Sequence, residues 1–199
     1  MRYILLFIFL VSTLLKPLFA QEYWQQELAY TIKVKLDDKN HELKAEVRID
    51  YINNSPNELT EIYMHLWPNA YKDRSTALNK QQLENGSTHL HYTAEENRGY
   101  IEGLFFKVDG EVVTWEWDAD NIDFGKIVLN KPLKSGGKIT ITTPFKVKLP
   151  LGVFSRLGHI GQSYQITQWY PKPAVYDASG WHQMPYLDQG EFYSEYGTY

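Results

Sequence analysis

The chain has 199 residues, 43% hydrophobic and 22% charged, a balance that fits a globular protein and excludes a disordered polar tail. A formal net charge of −4 with no basic stripe excludes nucleic acid as a partner, because displacing counterions from phosphates needs clustered lysine and arginine. There is no cysteine, so the apolar core has to hold the fold without disulfides.

Residues 1–20, MRYILLFIFLVSTLLKPLFA, place Arg2 before an apolar run and end on Ala20, the pattern of a secretory signal peptide. Lys16 and Pro17 interrupt that run short of the roughly 20 apolar residues a bilayer span needs, so no membrane span is expected after cleavage. Loss of Arg2 and Lys16 leaves 18 basic against 24 acidic residues, a formal charge of −6. The expected location is secreted, periplasmic or cell-surface, with one β-domain over residues 21–199.

From Ala29 to Leu36, Tyr30, Ile32, Val34 and Leu36 alternate with Thr31, Lys33 and Lys35, the two-residue period of a half-buried strand. Leu43, Ala45, Val47, Ile49 and Tyr51 repeat that period, and the polar DDKNH link between the runs predicts an antiparallel hairpin. TEIYMHLWP is apolar or aromatic on both faces and reads as a strand central in its sheet. STALNKQQLENG then reads as a short helical insertion, with Ser75 near its N-cap and Gly86 just past its end.

Strands resume with IEGLFFKV and EVVTWEW around Asp109-Gly110, a strong signal for a hairpin with a primed turn. Pairing across that turn sets Phe106 beside Val113 and Leu104 beside Trp115. KITITTPFKVKL turns Ile139, Ile141, Phe145 and Val147 inward and Lys138, Lys146 and Lys148 outward, and Pro144 marks an edge strand. The glycine-rich LGVFSRLGHIGQ reads as loop, and SYQITQW as a further strand whose pairing ends at Pro171 and Pro173. Six or more strands and one minor helix predict an all-β, saddle-like sandwich of mostly antiparallel strands.

Motifs for chemistry are sparse. No HExxH, G-x-S-x-G elbow, phosphate-binding loop or dinucleotide fingerprint is present. His89 and His91 would share a face if extended, without an evident third metal ligand. Asn53-Asn54-Ser55 and Asn85-Gly86-Ser87 match the glycosylation sequon, a pattern that also arises by chance. Asp177, Asp188, Glu191 and Glu195 lie among the aromatics, and are expected to be solvated or bonded to tyrosine hydroxyls. From Tyr164 onward ten of 36 residues are aromatic, about twice the whole-chain share of 15%, so the segment must pack against something.

The densest part of that segment, QITQWYPKPAVYDASGWH, resembles the stretch that closes the N-terminal β-domain of secreted bacterial gluzincin metallopeptidases, relatives of aminopeptidase N and leukotriene hydrolase. HLWPNAY, LENG, RGYI and ITTPFKVKLP extend the resemblance upstream in the same order. The resemblance implies a saddle of β-sheets that shares a peptide cleft with a zinc-bearing catalytic domain. That domain's HExxH is missing here, so no catalytic residue, metal ligand or cofactor is expected in this chain, and zinc is implied only for the full-length family member.

By the same resemblance Thr167-Gln168 matches a Thr-Gln pair that reaches toward the substrate's first residues. Tyr170 stands where aminopeptidases commonly carry a glutamate for the free α-amine, and a phenol cannot supply that full charge. Gln168, Trp169 and Tyr170 are therefore the expected substrate-binding residues, on a stiff aromatic lip. The competing reading is a free-standing binding module that stacks glycans on Trp169, Tyr170 and Trp181.

Overall fold

A computed structural model describes residues 23–190, 192–194 and 197–199. The expected leader at residues 1–20, and the carboxylates Glu191 and Glu195, lie outside the described residues. Strands β1 (Glu27–Asp37) and β2 (Glu42–Ile52) form the expected hairpin, in unbroken antiparallel register from Glu27 opposite Ile52 to Asp37 opposite Glu42. Leu43, Val47, Ile49 and Tyr51 are buried, while Lys44, Glu46 and Arg48 face solvent. In β1 Leu28 and Tyr30 are buried and Ile32 packs partly against the core, whereas Val34 is 50% and Leu36 39% exposed.

β3 (Leu59–His65) precedes the helical insertion, where α1 (Ala77–Glu84) and α2 (His89–Tyr92) lie. The N-cap of α1 is Thr76, whose hydroxyl accepts from Asn79 N; the Ser75 hydroxyl is engaged by Asp73 Oδ1 at 2.6 Å and is not free to cap. Gly86 follows the helix with φ 82. His89 and His91 sit on a helical turn and not on an extended segment, so a two-residue separation splays their side chains apart and the shared face is lost.

The chain then forms β4 (Tyr100–Glu102), β5 (Lys107–Val108), β6 (Glu111–Val112), β7 (Thr114–Trp117), β8 (Phe124–Leu133) and β9 (Lys138–Lys148). Asp109 at φ 50 and Gly110 at φ 85 make the two left-handed positions of a primed turn, and Val113 N donates to Phe106 O at 3.3 Å as the pairing requires. Beyond Val113 the expectation fails. Trp115 pairs with Ile127 of β8 in the second sheet instead of with Leu104, and keeps only a ring contact with Phe106 at 5.3 Å.

The first sheet has seven strands, in the order β15 (Gly197–Thr198), β1, β2, β9, β5 and β6, with β4 also on β9. The second runs β12 (Lys172–Pro173), β3, β8, β7. β9 is interior, which corrects the edge position inferred from Pro144. It pairs with β2 along its whole length, and on its other flank with β5 at Ile141 and Thr142 and with β4 at residues 146–148. Pro144 falls between those two partners, where its missing N–H breaks no ladder bond.

Ile62, Met64 and Ile127 of the second sheet join Val47, Ile49, Ile141 and Val147 of the first in one buried cluster. The fold is thus all-β and sandwich-like, as expected. Each such buried aliphatic side chain contributes roughly 1.5–3 kcal/mol relative to exposure. The Asn53 sequon is closed off, because Asn53 is 0% exposed and its amide donates to Leu133 O and Asn57 O while accepting from Ser55 Oγ. Among the described residues no helix is long and apolar enough to cross a membrane.

Candidate functional site

The stretch expected to be one strand, SYQITQW, is divided. LGVFSRLGHIGQ, expected as loop, supplies β10 (Gly158–Ile160), which pairs with β11 (Ser163–Gln165) around Gly161 at φ 56. β11 stops at Gln165, opposite the first residue of β10, and three residues on Gln168 adopts φ 51, a left-handed conformation incompatible with a ladder. The two prolines do not end pairing either. Lys172 and Pro173 form β12 opposite His65 and Met64, and Ala174 N donates to Tyr63 O at 2.8 Å. This is the edge of its sheet, where a proline is tolerated.

Between those two strands lie the three expected site residues, each half-buried. The Trp169 ring packs 5.8 Å from Phe145 of β9 and 5.5 Å from Tyr170. Tyr170 stands edge-on to Tyr30 of β1 at 5.6 Å, and its hydroxyl meets that of Tyr199 at 2.7 Å. Tyr199 in turn stacks on Tyr30 at 5.0 Å and is 74% exposed. Burial, and secondarily the Tyr199 hydroxyl, raise the pKa of Tyr170 well above that of a free phenol, so the lip stays neutral.

Gln168 combines two unusual features. Its backbone is strained at φ 51, and its Oε1 is buried with no hydrogen-bond partner among the described residues. The preceding Thr167 hydroxyl is held within the domain, donating to Arg156 O at 2.6 Å.

Trp181 belongs to a different group. On β14 (Gly180–His182), paired with β13 (Val175–Asp177), it contacts Tyr176 at 4.9 Å and Tyr63 at 5.7 Å. No ring contact joins it to Trp169 or Tyr170 among the described residues. Asp177 lies 2.8 Å from His182 Nε2 and accepts from the Tyr193 hydroxyl; Asp188 accepts from Ser155 Oγ.

Sequence reasoning missed the polar groups buried beneath this segment. Lys172, the basic step between the prolines, places Nζ 5.5 Å over the Trp67 ring, and burial brings its pKa down to about 8. His65 stacks on Trp67 at 4.4 Å and its Nε2 accepts from Met184 N at 3.2 Å, so the proton sits on Nδ1. Asp123 accepts from Tyr186 N at 2.6 Å, and burial raises it to about 6. A histidine in the apolar run IYMHLWP was the one legible signal of this group.

The described residues contain no group of three or more His, Cys, Asp or Glu side chains able to hold a metal ion. They do not fit the zinc site that the sequence resemblance implies for the full-length family, and no chemical step through zinc is derived for them.

No protein-family model matches the chain, and no curated protein sequence matches it. Among solved structures, a point mutant of the M1 zinc metallopeptidase from Deinococcus radiodurans is similar at TM-score 0.34 and 12% identity, over 64% of this chain and 20% of that one. The same mutant bound to a Tyr-Ser-Ala substrate is similar at TM-score 0.39 and 12% identity, over 71% of this chain and 25% of that one. The chain therefore spans between a fifth and a quarter of those proteins. Similarity this distant assigns no activity.

Proposed function

We propose that this chain forms one wall of a peptide-binding cleft in a secreted zinc-dependent peptidase, with Gln168, Trp169 and Tyr170 against the substrate and the zinc ligands on residues beyond it. The observation that carries the reading is Gln168, a strained, non-glycine residue whose amide oxygen lacks a partner beside half-buried aromatic rings. Such strain persists where surrounding structure enforces it, and it clusters at binding sites. Once its covered side chain turns outward, an amide oxygen of this kind suits a peptide N–H donor, and rigid rings add contact area with few rotors to freeze. The likeness of HLWPNAY and QITQWYPKP to segments of the gluzincin family supports the same assignment.

Calorimetric titration of the purified chain with unmodified tripeptides tests it. Saturable binding weakened about tenfold or more by Gln168→Ala or Tyr170→Ala is expected, in line with loss of a buried hydrogen bond or ring contact. Absence of binding, binding indifferent to both substitutions, or peptide hydrolysis by the chain with zinc of its own would each overturn the proposal.

A further inference from the structure

A cavity lies in the helical insertion, among residues that the lip does not use. It is an open cleft of about 850 Å³ between the loop Lys72, Asp73, Arg74, Ser75 and the turn that runs from Tyr92 to Arg98. Its volume is that of a small-molecule site.

Three cations line it against two carboxylates, in a chain whose net charge is −4. None of the three has a carboxylate within ion-pair distance among the described residues, although Asp73 and Glu95 share the cleft. Asp73 is turned toward its own loop, where Oδ1 accepts from Ser75 N at 2.7 Å and from Ser75 Oγ at 2.6 Å.

The two arginines converge on one neutral acceptor. Arg74 Nε donates to His91 O at 2.9 Å, and Arg98 Nη2 donates to the same oxygen at 3.2 Å and to Thr93 O at 3.4 Å. Arg98 is only 6% exposed, and its Nη1 has no partner. Burial lowers its pKa, and Arg74 lowers it further by repulsion. A carbonyl dipole cannot balance two guanidinium charges, and a buried cation left without a counter-charge is costly.

We propose that this cleft binds an oxyanion, a carboxylate or phosphate group of a small molecule, between Arg74 and Arg98, with Lys72 completing the shell. An oxyanion supplies the missing counter-charge and accepts planar guanidinium donors, and the 74% exposed ring of Tyr92 at the rim offers a surface for the rest of the ligand. Arg98 supports the site from within.

Calorimetric titration with inorganic phosphate and with citrate, at matched ionic strength in sodium chloride, tests this. Saturable binding of at least one anion is expected, weakened tenfold or more in Arg74→Gln, an exposed position where folding is not at stake, and in Arg98→Gln. Binding of phosphate alone assigns a phosphate ligand, of citrate alone a carboxylate ligand, and of both the shared oxyanion chemistry. No saturable binding of either, or full binding retained in Arg74→Gln, would overturn the proposal. Peptide binding at the lip is expected to be the same in Arg74→Gln as in the unmodified chain, which separates the two sites.

Discussion

The hydroxyl of Tyr170 meets that of Tyr199 at 2.7 Å, so a residue of the lip is tied to β15 and, through ring packing on Tyr30, to β1. Tyr170→Phe removes that bond and keeps the ring. The expected stability loss is about 0.5–1.5 kcal/mol, the net worth of one partly exposed hydrogen bond, read from urea midpoints at pH 7. Because the folded pKa of Tyr170 is raised, its contribution is present below pH 10 and lost as pH rises beyond it. The phenylalanine variant is accordingly expected to lose less stability above pH 10 than the unmodified protein.

Relief of strain separates the backbone of Gln168 from its side chain. Gln168→Gly admits φ 51 without penalty and is expected to raise stability by about 1 kcal/mol, while Gln168→Ala keeps the strain and is not. Both remove the amide, so both are expected to lose peptide affinity. Thermal denaturation and titration of the two variants check the pair of outcomes.

His65 sets an acid limit. Burial first, and the Lys172 charge second, bring its pKa from 6.5 to about 3. Below pH 6.5 the unfolded chain takes up a proton that folded His65 refuses, so stability present above 6.5 falls by about 1.4 kcal/mol per pH unit toward 3. His65→Gln, which retains an acceptor for Met184 N, is expected to flatten that slope in urea titrations between pH 6.5 and 4.

Asp123 has the opposite sign. Its folded pKa of about 6 exceeds the unfolded 3.8, so the preference for the folded state is full below 3.8 and is lost as pH rises through 6. Asp123→Asn keeps an acceptor for Tyr186 N and removes the buried charge. A gain of about 1–3 kcal/mol at pH 7, disappearing near pH 4, is expected from denaturation at the two pH values.

Close backbone approach makes Gly158 irreplaceable. A Cβ there would lie 2.6 Å from Gly152 Cα, at φ 153, whereas one at Gly86 would meet nothing within 4 Å. Gly158→Ala is expected to cost about 3 kcal/mol or more, and Gly86→Ala about 1 kcal/mol for its positive φ alone. Comparative thermal melts distinguish a steric from a purely conformational role.

By itself the amino-acid sequence determined the local features: the alternation that buries Val47, Ile49, Ile141 and Phe145, the primed turn at Asp109-Gly110, and the concentration of rings after Tyr164. Each depends on dihedral preference or on a two-residue period, and so is written within a few neighbouring residues. Tertiary structure alone decided that Trp115 leaves its hairpin for β8, that Pro144 sits inside a sheet between β5 and β4, and that Gln168 turns left-handed. It also brought Arg74 to Arg98, and Lys172 over Trp67. Strand partners and charge neighbours are set by long-range packing, where burial of one face outweighs the preference of any single residue.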